Sequence, residues 1–141
     1  MESRDWSSDV CSSDLKISSS TRRNMMDTFS IVFYETLSGE KPAKVFLNEL
    51  SHKQRAKTIR DLKILELCGN RLREPHSKYL EDGIYELRTK QGSNISRILY
   101  FFFVDRRIVL TNGFIKKSMK TPKNAIELAV RYKNDYIERY T

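Results

Sequence analysis

The stretch "ISRILYFFFV", residues 95 to 104, decides most about what this chain can become. Its apolar part, "ILYFFFV" (98 to 104), is far shorter than the roughly 20 residues needed to cross a bilayer as a helix. Successive side chains of a strand point to opposite faces, and here both sets are apolar, which predicts a strand central in a sheet. Arg97 stands out within it. It shares a face with Leu99, Phe101 and Phe103. A lone charge among such neighbours is costly unless it is paired or points into a polar cleft at the sheet edge.

The segments around it read as partners for that strand. "IYELRTK" (84 to 90) alternates, with Tyr85, Leu87 and Thr89 on one side and Ile84, Glu86, Arg88 and Lys90 on the other. The second side is mostly charged, so one covered side is expected. "SKYLEDG" precedes it as a short strand or extended entry, and "QGSN" links it to the central strand. Asp105-Arg106 is a two-residue hairpin candidate without the usual glycine, and "RIVLTNGFI" (107 to 115) is the last strand. Upstream, "TFSIVFYETL" (28 to 37) has strand composition. Pro42 then opens a helix with Ala43, Phe46, Leu47 and Leu50 on one face. Ser51 caps a second helix, whose predicted buried stripe is Ala56, Ile59, Leu62 and Leu65, widened by Leu67 and Cys68. Lys53, Arg55, Lys57, Arg60 and Lys63 make its other side basic, and Gly69-Asn70 ends it. Thr121 as N-cap with Pro122 after it starts a last helix lined by Ala125, Leu128, Ala129, Tyr132 and Tyr136. The expected fold is α+β: an N-terminal strand, two helices, three to four further antiparallel strands, and a C-terminal helix.

The chain of 141 residues carries a formal net charge of +8. That excess points to polyanionic partners, RNA or DNA, or to an acidic protein that masks a basic face. Residues 1–25 are rich in Ser and Asp, lack any period, and read as a disordered tail. "WSSDVCSSDL" within them also has the form of a translated sequencing-adapter end, in which case natural translation starts at Met25 or Met26. The tail holds four basic and four acidic side chains, so residues 26–141, the expected single domain, keep the whole +8. Two cysteines, Cys11 and Cys68, suggest neither a disulfide framework nor zinc spacing, and two scattered histidines, His52 and His76, make no metal site. No secretory pattern opens the chain, so a cytoplasmic protein without cofactor or metal is expected.

A combination of motifs now matters more than any one of them. "YLEDGIYELR", "SRILYFF", "VLTNGFIKKSMKTP" and "AIELA" together resemble the RelE/HigB family of bacterial toxins, in its HigB-like, phage-derived branch, across about residues 26 to 138. The resemblance implies a compact α+β fold like that of small microbial ribonucleases. It also implies the toxin half of a type II toxin–antitoxin pair: a metal-independent mRNA endoribonuclease, ribosome-dependent, with no cofactor. The implied partners are a HigA-like helix-turn-helix antitoxin, mRNA and the ribosome. Operator DNA would be met only through the antitoxin, and no membrane is involved. The alternative is a non-catalytic basic RNA- or partner-binding module of the same fold.

Metal-free RNA cleavage needs the 2′-hydroxyl aligned with phosphorus, a base, cations to offset the growing phosphate charge, and an acid for the leaving oxygen. By resemblance, Arg97 matches the family's phosphate-binding arginine, Arg88 the arginine closing the preceding strand motif, and Lys116 and Lys117 the basic residues after the last strand. Glu86 is a candidate base provided neither arginine neutralises it. His76 is the other, because an unperturbed histidine titrates near neutrality. Each has a plainer reading. Arg97 pairs with Glu86 across two strands, Arg88 is a solvated strand residue, Lys116 and Lys117 are loop charges at a sheet edge, and His76 is an exposed loop histidine.

Overall fold

The structure is a computed structural model and describes residues 29–74, 76–116 and 121–141. The tail expected at 1–25 lies outside the described residues. The elements follow the expected order: β1 (Ser30–Phe33), α1 (Pro42–Glu49), α2 (His52–Cys68), a short 3-10 turn (Gly69–Arg71), β2 (Ser77–Glu81), β3 (Ile84–Gln91), β4 (Asn94–Phe103), β5 (Arg107–Lys116) and α3 (Lys123–Tyr140). The α+β class therefore holds.

The five strands form one sheet in the order β1-β5-β4-β3-β2. β2 through β5 run antiparallel, while β1 lies parallel to β5, with Ser30 opposite Arg107 and Phe33 opposite Leu110. β4 is central, as its two apolar faces demanded. Leu87, Ile98, Tyr100, Ile108 and Leu110 meet Ala43 and Leu47 of α1 and Leu62 and Leu65 of α2 on one side. Ile84, Leu99, Phe101 and Val109 meet Ala129 and Tyr136 of α3 on the other. The sheet is thus the middle of three layers. β3 is covered on both sides, contrary to the expectation from its charged face, because α3 lies over Ile84 and Thr121 reaches Glu86.

Two local devices shape the end of the sheet. The hairpin turn before β5 holds Asp105 (φ 63) and Arg106 (φ 57) in the left-handed region, as a tight connection requires without glycine. Within β5 the register shifts opposite Leu99/Tyr100, leaving Thr111 as an extra residue. Such a bulge reverses which side later residues face. Asn112 and Phe114 consequently fall on the α3 side, where straight alternation from Val109 would have put Thr111 and Gly113. Gly113 turns towards α1. A Cβ there would lie 2.4 Å from the Phe46 ring, so only glycine lets the aromatic ring pack onto the strand.

α2 starts as expected, with Ser51 Oγ accepting from the Gln54 N–H at 3.3 Å. Its buried stripe differs from the predicted one. Ala56, Ile59 and Leu67 are exposed, and Gln54, Thr58 and Asp61 face inward ahead of Leu62, Leu65 and Cys68. The reason is a polar seat on the sheet. Gln54 Nε2 donates to the Thr89 carbonyl at 3.0 Å, Thr89 Oγ1 to Asp61 Oδ2 at 2.8 Å, and the Thr58 and Ser96 hydroxyls lie 3.2 Å apart. Cys68, at 1% exposure, closes the inner face of α2.

Candidate functional site

The sequence put two arginines on neighbouring strands, and the register makes them direct neighbours: Arg88 of β3 sits opposite Arg97 of β4. Arg97 in turn lies opposite Phe114 of β5. On the outer side the Arg88 N–H donates to the His76 carbonyl at 2.8 Å, which sets His76 opposite Arg88. One row across four chain segments therefore reads His76, Arg88, Arg97, Phe114. Two like charges directly opposite each other repel. The structure answers with an anion one step along β3. The carboxylate of Glu86 accepts from Arg88 Nε at 2.5 Å and lies 3.9 Å from Arg97 NH1.

Thr121, just ahead of α3, completes the cluster. Its hydroxyl donates to Glu86 Oε1, and Arg97 NH1 reaches the same hydroxyl at 3.4 Å. The expectation that Thr121 caps α3 is corrected here. The N-cap position is Pro122 and no side chain caps it, because the Thr121 hydroxyl is turned to the buried Glu86–Arg97 pair. A short polar residue before Pro is the sequence signal for a cap, and nothing in it announces a partner 35 positions away.

Burial sets the electrostatics. Arg97 and Glu86 have side chains at 0% exposure, while Arg88 retains 15%. Burial pulls the Arg97 guanidinium below its ordinary value, Glu86 opposes that shift, and the Arg88 charge adds to it. The side chain nevertheless stays cationic at neutral pH, since an arginine starts so high. His76 is buried at 1%, and not exposed in a loop as its plainer reading had it. The N–H groups of His76 and Ser77 both donate to the Arg73 carbonyl, which draws the segment in before β2 begins. Lys116 is the last residue of β5, paired in register with Ile95, and Lys117 lies outside the described residues.

The structure thus gathers Arg97, Arg88 and Glu86 into one contact group and sets His76 in the same row. Glu86 is engaged by Arg88 and Thr121, so the arrangement behaves first as a carboxylate that holds two guanidiniums side by side. Of the two forks only Arg88 reaches solvent, at 15% exposure, with the Arg97 charge buried beside it; one carboxylate facing two guanidiniums leaves one positive charge over, at a place suited to a phosphodiester. Among the described residues no group of three or more His, Cys, Asp or Glu is gathered as a metal site would need, and no helix is long and apolar enough to cross a membrane.

Sequence comparison adds one finding. The family described as "Phage derived protein Gp49-like (DUF891)" matches residues 45–134, from within α1 to well into α3, and so takes in every described residue of the cluster. No curated protein matches the chain.

Proposed function

From the premise that the chain belongs to the Gp49-like family of phage-derived proteins, a toxin-like group of RelE/HigB type, we propose that it is the toxin of a type II toxin–antitoxin pair and cleaves mRNA. The observation that carries the reading is the arginine pair: Arg88, which keeps 15% exposure, directly opposite the buried Arg97 of the central strand, on a chain with net charge +8. Glu86 balances one of the two guanidinium charges, and the exposed edge of Arg88 is where a substrate phosphate would meet the other.

In this reading the scissile phosphate lies against Arg88, with the Arg97 charge buried beside it and Lys116 and Lys117 flanking it. The 2′-hydroxyl gives its proton to a base and attacks phosphorus. The 5′-oxygen leaves with a proton from an acid, and the two arginines offset the extra charge on the phosphoryl oxygens in between. Glu86 positions the arginines. His76, in the same row, is the group we assign to proton transfer. An mRNA substrate met in the ribosomal A site makes the cytoplasm the place of action, and a helix-turn-helix antitoxin the neutralising partner.

Induction of the chain without any antitoxin should arrest growth, and primer extension on cellular mRNA should reveal new 5′ ends. Arg88→Ala should lower cleavage by about 10² to 10³, and Arg88→Lys should recover part of it, since the bidentate fork is lost. A folded Arg88→Ala protein that cleaves at the wild-type rate would sink the assignment. One observation favours the second reading, a non-catalytic RNA- or partner-binding module. Glu86 already holds Arg88 at 2.5 Å, as a purely structural ion pair would. RNA binding without new 5′ ends would decide for it.

A further inference from the structure

Arg88 meets the buried Glu86 through a single nitrogen. Its Nε donates to Glu86 Oε2 at 2.5 Å, and among the described residues its two terminal nitrogens hold no hydrogen bond. A guanidinium beside a carboxylate frequently pairs two-pronged, one N–H to each oxygen. Here the second oxygen is taken, because Glu86 Oε1 accepts from the Thr121 hydroxyl. We propose that Thr121 is a positioning residue for the phosphate site: by occupying Glu86 Oε1 it confines the carboxylate to Arg88 Nε and leaves both terminal nitrogens of Arg88 to a phosphodiester. The inference rests on the reading of Arg88 as the phosphate contact and adds the residue that keeps that contact open.

Hydrogen-bond accounting is the first argument. Glu86 is at 0% exposure, so each carboxylate oxygen must find its donor inside the protein. Thr121 has one proton to give, and it goes to Oε1. On its other side the hydroxyl oxygen faces Arg97 NH1 at 3.4 Å. Arg97 does not stand in for that proton, since its NH1 lies 3.9 Å from the carboxylate and on the side of Oε2, the oxygen Arg88 already holds. Without the hydroxyl, Oε1 is a buried acceptor that has lost its donor. A terminal N–H of Arg88 is one covalent step, through Cζ, from the nitrogen already bound. The carboxylate then closes on the fork, and the outward edge of Arg88 turns in.

The second argument is where Thr121 sits. A threonine just ahead of a helix is placed to cap it, a stabilising contact. Yet α3 has Pro122 at its N-cap position and no side-chain cap, while the Thr121 hydroxyl reaches 35 positions back along the chain to Glu86. A side chain diverted from a stabilising role towards a solvent-facing cation marks a working site. Exposure gives the third argument. The cluster is layered from the sealed carboxylate of Glu86 to the fork of Arg88, which keeps 15% exposure. A phosphate at that edge meets a guanidinium oriented before it arrives, which is how a fixed cation favours a transition state.

The test is made on the full chain with inorganic phosphate as the probe. It is read at the Arg88 side-chain N–H resonances, which Arg88→Lys identifies by their loss. Thr121→Val keeps the shape of the side chain without the hydroxyl, and Thr121→Ser keeps the hydroxyl. Phosphate should shift the Arg88 resonances of wild type and Thr121→Ser alike, and should bind Thr121→Val about tenfold more weakly. Without phosphate, the terminal N–H protons of Arg88 should average in the wild type and separate in Thr121→Val, where a two-pronged pair stops rotation about Nε–Cζ. Lost packing alone produces neither change. RNA cleavage should fall about tenfold in Thr121→Val and recover in Thr121→Ser. Should Thr121→Val not fold, Thr121→Cys, whose thiol is a weak donor, carries the same readings. Unchanged phosphate affinity or averaged terminal protons in the hydroxyl-free variant, or a Thr121→Ser protein as impaired as that variant, overturns the proposal and leaves the phosphate reading standing. If Arg88 ignores phosphate in the wild type, the two fall together. If Arg88 responds to Thr121 as described and the wild type cleaves no RNA, the positioning role stands and the endoribonuclease reading falls.

Discussion

Glu86→Gln isolates the one anion that lets two arginines lie side by side in the sheet. Glutamine keeps the shape of the side chain and can still meet Thr121 and Arg88, so the change removes charge and little else. Breaking a buried ion pair from one side costs about 3 to 5 kcal/mol. The loss here should lie at or somewhat below the lower half of that range. Arg88 is 15% exposed and can draw on water, and the Arg97 contact, at 3.9 Å, is loose. The expected loss is about 2 to 4 kcal/mol, a large share of the about 5 to 15 kcal/mol that holds a domain together. With a urea slope of about 1.5 kcal/mol/M, the midpoint should fall by roughly 1.3 to 2.7 M at unchanged slope. Arg97→Met should cost less, about 0 to 1.5 kcal/mol, because Glu86 keeps Arg88 and Thr121 and the methionine fills the space of the stem. The double variant should therefore be more stable than the two single losses predict, by about 1 to 3 kcal/mol. The assay is urea unfolding of the four proteins by circular dichroism. A Glu86→Gln midpoint within error of wild type, or losses that simply add, would refute the shared-anion argument whatever the protein's activity.

Gly113→Ala should destabilise by about 1 to 3 kcal/mol in the same assay, because its methyl would meet the Phe46 ring at 2.4 Å; Phe46→Leu in the same chain should recover part, and an unchanged midpoint for Gly113→Ala alone would mean the ring does not rest on that strand. Ser77→Ala should cost about 1 to 3 kcal/mol by stripping the buried Tyr100 hydroxyl of its partner at 2.5 Å; a neutral result would show that the hydroxyl is satisfied elsewhere. Burial raises the Asp61 carboxyl above its ordinary value, against the donated Thr89 bond and the nearby Arg60 and Lys57 charges. The folded chain thus keeps a proton the unfolded chain gives up, and stability should fall as pH rises from the usual carboxylate range through the raised value. Asp61→Asn should flatten that decline and be the more stable protein at neutral pH; parallel profiles would contradict it. Affinity for single-stranded RNA should drop on the order of tenfold or more between low and moderate salt, and a flat response in a filter-binding assay would point to a protein partner.

The order and type of the elements were legible because they depend on local chemistry. The two apolar faces of β4 could only mean a central strand, Pro42 and Ser51 marked helix starts, and Arg88 and Arg97 were readable as occupants of neighbouring strands. What covers a face was not legible. Period two assigns Glu86 to the side away from Leu87 but is silent on whether α3 will close over it, and so a charged face was taken for a solvated one. Period 3.6 misled in α2, where Ala56 and Ile59 looked buried and Gln54, Thr58 and Asp61 are, because the strands beneath offer carbonyls and hydroxyls instead of apolar surface. The parallel docking of β1 on β5 joins segments more than 70 residues apart, and a Thr111 bulge reverses the facing of Phe114 without altering composition at all. Tertiary packing also moved Thr121 from helix cap to partner of Glu86 and drew His76 out of solvent. These outcomes share one cause: a side chain's own sequence neighbours determine its direction, whereas its energy depends on groups that only the assembled sheet brings within a few ångströms.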